Sequence, residues 1–326
     1  MSIKRGVSFY SYQQAYYKGI YNLEDLIRIT SQEAGAEGIE IVAEQTPVGS
    51  YPNPSDADVD RWFGWMDKYK TKLACMDSFI DYLMFKGRVC TLKEQVQMME
   101  RDLRLAAKLG FPVIRVLCPV RKEVVEASIP IAEYCNVRMG LEVHSPMMIH
   151  ARWIEEYVDM YERSGSKHVG IIPDFGIFQK RPARKMIQDA LKRGADEKTL
   201  MYISEAFESG TDINKIIQQL KQSNAGPNEM QVAMSLIRTR RSKPEDLKDI
   251  AKYIFHVHGK FYDMDENCNE TCIDYETPFK VLKEIGYEGY ISSEFEGQGL
   301  YKGEEEADEL EQVKRHQVML KRLIGE

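Results

Sequence analysis

The sequence has no run of the roughly 18 consecutive apolar residues needed to span a bilayer. Residues 1–10 show no apolar core followed by a small-residue cleavage site, so a cytoplasmic protein is expected. Histidine is scarce, at six in 326 residues, and 44 basic against 51 acidic side chains leave a formal charge of −7. A nucleic-acid partner needs a basic face, and this balance argues against one. Cys75, Cys90, Cys118, Cys135, Cys268 and Cys272 are scattered through the chain. They do not form the dense frame of a small secreted domain, and free thiols are expected. No repeat of the solenoid type is present.

What is present is enough to build a large core, with 43% hydrophobic and 29% charged residues. Eight short β-branched or apolar runs, near 6–10, 38–42, 72–76, 113–117, 139–143, 169–173, 254–258 and 290–293, each precede a stretch with helical periodicity. Asn22 with Asp25 in the first turn opens one such helix before Gly35, and Thr91 with Glu94 has capping-box spacing before a helix that ends at Gly110. Strand and helix in alternation indicate parallel strands joined by crossover helices, and eight of them indicate a closed (β/α)8 barrel, one domain over residues 1–326. Residues 175–253 are too long for one crossover and are read as a helical insertion between strands 6 and 7, with helices near 183–193, 197–207, 212–220 and 229–239. Asn224, Gly226, Pro227 and Asn228 make a turn within it. Arg238, Arg240, Arg241 and Lys243 are its most basic patch, read as a solvated helix end ahead of a phosphate or partner site. The acidic stretch 302–312 is given no chemistry.

Ligands of such barrels bind at the C-terminal ends of the strands. Glu142, Asp174, His258 and Glu294 stand at the ends of the last four strands. Three carboxylates and one imidazole form a hard, oxygen-rich set suited to Mn2+, with Mg2+ or Co2+ as substitutes, and less suited to a closed zinc site. A divalent ion gripping neighbouring oxygens of a sugar would acidify the C–H between them and favour the enediolate left by deprotonation. Singly, each acid reads as a helix cap or loop residue, but four at successive strand ends rarely coincide. With a period of two, His144 shares a face with Glu142, Lys260 and His256 with His258, and Glu296 with Glu294. His144 is a candidate acid/base, Lys260 a candidate substrate contact, and His256 a satisfied core histidine. Tyr10, Tyr12, Asp77, Asp81 and Lys86 follow strand ends one and three and could line a sugar pocket; Arg115, within strand four, must find an anion or carbonyls in the barrel. Cys268 and Cys272, with three residues between them beyond the two histidines, are a weak zinc candidate.

These features resemble the xylose isomerase-like sugar phosphate isomerase/epimerase superfamily over nearly the whole chain. More narrowly, Gly-Val-Ser-Phe-Tyr-Ser-Tyr-Gln from Gly6, the segment 77–88, and Leu-Glu-Val-His-Ser from Leu141 resemble the large, α subunit of the C-glycoside deglycosidases. The resemblance implies a metal held by Glu142, Asp174, His258 and Glu294, and acid/base work by His144. It also implies a small β-sandwich partner subunit and carbon–carbon cleavage between a 3-oxo-sugar and an aromatic aglycone such as a flavonoid. On that reading Glu142, Glu294 and His144 are the catalytic set, with Lys260, Tyr12 and Asp77 on the substrate. The nearest rival is a sugar isomerase or 3-epimerase in which Glu142 and Glu294 move protons. A metal-stabilised binding subunit without turnover is the rival of another class. An apurinic-site endonuclease would need more histidines and a basic surface.

Overall fold

Short apolar strands separated by capped helices can bury both faces only as a parallel sheet sheathed by those helices. In the computed structural model, which describes residues 3–301 and 306–326, the eight expected runs become eight strands. They are β1 (Lys4–Ser8), β2 (Gly38–Val42), β3 (Lys72–Ser78), β4 (Val113–Val116), β5 (Arg138–Val143), β6 (Val169–Pro173), β7 (Val257–Phe261) and β8 (Tyr290–Phe295). All ladders are parallel, in the order β6-β5-β4-β3-β2-β1-β8-β7. The two ends of this order meet through isolated bridges, Ile171 to Ile254 and Asp174 to His258. A seam without a full ladder therefore closes the barrel between β6 and β7.

The expected capping signals work as read. Asn22 and Asp25 cap Leu23–Gln32 reciprocally, and Thr91 and Glu94 do the same for Leu92–Leu109, which ends on Gly110 at φ 82°. Inside the barrel, Cys75, Val113 and Ile172 form an apolar cluster against Phe255. They share strand faces with Asp77, Arg115 and Asp174, so an apolar plug lies one layer beneath a polar one. Gly140 makes room for that plug, since a Cβ there would fall 2.6 Å from Ile172 Cγ1.

Two expectations shift. The seventh strand starts at Val257 and not at 254, because Ala251–Tyr253 form a 3-10 turn and Phe255 N–H donates to the Ile171 carbonyl at 3.1 Å. His258 thus stands second in β7, level with Asp174 across the seam. Between β6 and β7 lie four α-helices, Arg184–Lys192, Glu197–Glu208, Ile213–Gln222 and Pro227–Ser235. Leu200, Ile203, Phe207, Ile216, Leu220 and Val232 form a hydrophobic cluster of their own within them. The turn expected at 224–228 ends early: Asn224 takes φ 53°, Gly226 is the cap, and Pro227 already begins the last helix. Residues 302–305 of the acidic stretch lie outside the described residues, and its end enters helix Glu309–Ile324. No described helix is long and apolar enough to cross a membrane.

Candidate active site

At the C-terminal ends of the strands the four expected side chains converge. Glu142 from β5, Asp174 just after β6, His258 in β7 and Glu294 in β8 bring one donor atom each to within 4.8 Å of one another, and all four are buried. His258 Nδ1 lies 2.8 Å from Glu142 Oε1 and 3.4 Å from Glu294 Oε1. Glu294 Oε2 is buried with no hydrogen-bond partner, and Asp174 Oδ2 meets only the charge of Lys260 Nζ at 3.0 Å. Acceptor atoms aimed at one point without donors are what a hard divalent cation satisfies, so the donor set fits Mn2+, Mg2+ or Co2+.

Two cations border this cluster. Arg115 reaches Asp77 Oδ2 and Glu142 Oε2, each at 3.0 Å, and Lys260 reaches Glu296 Oε1 at 3.2 Å as well as Asp174. Burial opposes ionisation of Glu142, yet the Arg115 guanidinium and His258 bring its carboxyl well below the usual range. Asp174 and Asp77 are pushed up by burial, to about 6 and about 7, despite the opposing pull of Lys260 and Arg115. Burial disfavours charge on His258, but Glu294 and Glu40 outweigh it and raise its pKa well above the usual value.

A cavity of about 250 Å3 opens over the quartet. Its walls differ in character. Val42, Phe79 and Leu117, from the ends of β2, β3 and β4, put its apolar surface on one side, beside Glu44, Gln45, Ser78 and Arg115, whereas Glu142, His144, Lys260, Glu294 and Glu296, from β5, β7 and β8, make the other side polar throughout. His144 Nδ1 donates to the Ser145 carbonyl at 2.7 Å, which leaves Nε2 as the nitrogen able to take a proton; Cys118 Sγ sits 3.3 Å from it. Burial lowers the His144 pKa, but Cys118 and Glu142 together lift it to about 9.

Not every expected residue faces the cavity. Tyr12 is fully buried in the hydrophobic core and packs on Phe9, whereas Tyr10, expected beside it, does line the cavity. The 3-10 turn Phe9–Tyr12 sends the two side chains to different surroundings. Asp77 lies beneath the cavity, 2% exposed and locked to Arg115, and does not line it. Neither Asp81 nor Lys86 lines it. Cys268 and Cys272 join no group of metal-competent side chains among the described residues. His256 is 1% exposed and bonds Glu40, as expected of a core histidine. Glu40 and the Cys118 contact were not read from the sequence, and for Arg115 the need of a partner was read but not that Asp77 and Glu142 supply it. A lone acid at the centre of the otherwise apolar Gly-Ile-Glu-Ile-Val was the available signal for the first.

The barrel with this quartet at its mouth defines an enzyme of the xylose isomerase-like kind. Residues 30–321 match the family described as xylose isomerase-like TIM barrel, and the chain belongs to that family. It is 31% identical over 340 residues, 98% of this chain and 95% of the relative, to the 3'-dehydrocarminate deglycosidase alpha subunit of a Microbacterium species. It is 28% identical over 330 residues, covering 99% and 93%, to a C-glycoside deglycosidase alpha subunit of Arthrobacter globiformis. Among solved structures the fold matches an L-ribulose 3-epimerase at TM-score 0.56 and 15% identity, covering 99% of this chain and 94% of that one. It also matches the IOLI protein with a binding zinc atom, at TM-score 0.57 and 15% identity, covering 99% and 98%.

Proposed function

We propose that the protein is a metal-dependent carbon–carbon lyase that cleaves the C-glycosidic bond of 3-oxo-C-glycosides, such as flavonoid C-glucosides, by proton abstraction and β-elimination. The observation that carries this reading is the convergence of Glu142, Asp174, His258 and Glu294 beneath a cavity that Glu142, Glu294 and His144 line, in a chain whose relatives are deglycosidase alpha subunits. The quartet holds the cation, Mn2+ by preference. Bound there, it would draw electron density from adjacent sugar oxygens and make the C–H between them more acidic.

The two walls orient the substrate. The polar wall takes the 3-oxo-sugar, and Val42, Phe79 and Leu117 take the flat aglycone. In its unprotonated form, which prevails above pH about 9 in the empty site, His144 Nε2 is placed to remove the C2 proton, whose acidity comes from the 3-oxo group. The electron pair passes to the C2–C3 enediolate, stabilised by the nearby charge of Lys260. When the ketone re-forms, a C1–C2 double bond is made and the C1–aglycone bond breaks. The aglycone carbon leaves with that electron pair and takes up a proton. Glu142 and Glu294 hold the sugar oxygens' counter-ion and border the reacting carbons. Asp77 supports the pocket floor through Arg115. The chain acts as the catalytic subunit of a cytoplasmic hetero-oligomer with a small β-sandwich partner, and the helices of residues 175–253 cap the substrate or contact that partner.

A second reading, a sugar isomerase or 3-epimerase, is favoured by one feature: Glu142 and Glu294 both line the cavity and both approach His258 Nδ1, a pair able to work on two faces of one carbon. Incubation with a 3-oxo-C-glycoside and, separately, a free ketose decides between them. Release of free aglycone supports the lyase, interconversion of the ketose alone supports the isomerase, and turnover of neither with the partner present leaves a binding subunit. Glu142→Gln is expected to lose the metal, and His144→Ala to keep the metal and lose turnover.

A further inference from the structure

We propose that Glu40 is a positioning residue for the cation site: it fixes the tautomer of His258 so that the Nδ1 lone pair faces the quartet, and His256 holds Glu40 in place. The inference rests on reading Glu142, Asp174, His258 and Glu294 as the ligand set.

Glu40 is the central residue of β2 and is 0% exposed. A carboxylate in that position needs partners, since an unpaired buried charge is strongly disfavoured. Its Oε2 accepts a 2.6 Å hydrogen bond from His256 Nε2. Its Oε1 stands 3.1 Å from His258 Nε2, off the line of an ideal hydrogen bond, and neither of these two atoms has another hydrogen-bond partner. The two imidazoles come from one strand arm, 5.6 Å apart and nearly perpendicular at 84°. One carboxylate from the other side of the barrel therefore engages both rings.

A neutral imidazole has one N–H and one lone pair. With the Glu40 carboxylate behind Nε2, that nitrogen keeps its proton when a cation displaces the one on Nδ1, so Nδ1, 2.8 Å from Glu142 Oε1 and 3.4 Å from Glu294 Oε1, is the nitrogen that faces the cation. His256 fits the supporting part, because its Nε2 donor sits on the other oxygen of Glu40 at 2.6 Å and the ring is buried. Donor atoms of Glu40, Cys75 and His256 also lie within 4.8 Å of one another. The direct Glu40–His256 hydrogen bond accounts for that closeness without a second ion, and burial pushes the Cys75 thiol well up, away from the thiolate a metal requires.

The test titrates chelator-stripped full-length protein with Mn2+ by calorimetry. Wild type is expected to bind one ion per chain. In Glu40→Gln, the amide oxygen still accepts from His256, but the NH2 group turns to His258 Nε2 and drives the proton onto Nδ1. Mn2+ affinity should fall about 10- to 100-fold, with the thermal midpoint in chelator unchanged and the 14N coupling to Mn2+ in pulsed EPR weakened. His256→Gln, which can still donate to Glu40, should stay within a few-fold of wild type. A variant-free measurement stands beside these: 15N-histidine NMR of the wild type loaded with diamagnetic Mg2+ should show His258 protonated at Nε2. Unchanged affinity and 14N coupling in Glu40→Gln, or an Nδ1-protonated His258 in the Mg2+-loaded wild type, would overturn the proposal. So would a second Mn2+ lost on that substitution, which would make Glu40 a ligand. A wild type that binds no ion sinks the ligand-set reading itself and the proposal with it.

Discussion

Acid should weaken the fold through a histidine that does not line the cavity. His316, in helix Glu309–Ile324, is 0% exposed and stacks on Phe261 with ring centroids 4.1 Å apart. Its hydrogen bonds fix one neutral form. Gln317 Nε2 donates to Ser293 Oγ at 2.8 Å, the Ser293 hydroxyl donates to His316 Nδ1 at 2.7 Å, His316 Nε2 donates to Tyr275 OH at 2.7 Å, and Tyr275 OH donates to the Lys260 carbonyl at 2.7 Å. A second proton on Nδ1 would face an oxygen that already accepts, and would leave the Ser293 hydroxyl without an acceptor. Burial accordingly lowers the His316 pKa from 6.5 to about 3. The unfolded chain then binds a proton that the folded one refuses. Stability from this group is complete above pH 6.5 and is lost as pH falls toward 3, at about 1.4 kcal/mol per pH unit, or about 2 kcal/mol by pH 5. Asp77 and Asp174, held up by burial, act with the opposite sign, because their strain relaxes as they take up protons. The quantity to read is therefore the difference between wild type and His316→Gln, which keeps a donor and an acceptor but does not titrate. Urea unfolding in chelator at pH 7.5, 6 and 5 should show that difference shrink by about 2 kcal/mol in the variant's favour. Parallel pH curves would refute the reasoning.

Other perturbations follow from the same contacts. Arg115→Leu removes the one cation shared by the buried Asp77 and Glu142 carboxylates; a loss of about 3–5 kcal/mol in urea unfolding of the metal-free protein is expected. Gly140→Ala forces a methyl group against Ile172, which should cost about 1–3 kcal/mol and lower the thermal midpoint. Phe79→Ala, at the apolar wall and 45% exposed, should raise KM for aryl glycosides and leave the thermal midpoint nearly unchanged; a loss confined to kcat would contradict its placement.

The barrel was legible because its signals are local and repeated. A β-branched run, a cap such as Asn22 or Thr91 and a glycine stop such as Gly110 each act within a few residues, and eight repeats admit few arrangements. The quartet was legible for a related reason: position at a strand end is itself a spatial statement. What escaped depends on register and on partners distant in sequence. Of the two tyrosines read as pocket candidates, Tyr10 reaches the cavity and Tyr12 is buried, separated by one turn whose twist the sequence does not announce. His258 sits early in β7 because the preceding 3-10 turn delays the strand. Glu40 contacts a histidine 216 positions away, and a single acid in an apolar strand marks that something polar lies within but not what it meets.

The seam between β6 and β7 gives the quartet a mechanical meaning. Glu142 and Asp174 belong to the arc that ends at β6, His258 and Glu294 to the pair that ends at β7, and only two isolated bridges join the edges. A cation gripping all four would rivet the cylinder shut at its least-laced point, so occupancy and closure of the wall become one event. Stripped of that rivet, the gap beside Asp174 is where hydrogen exchange should begin.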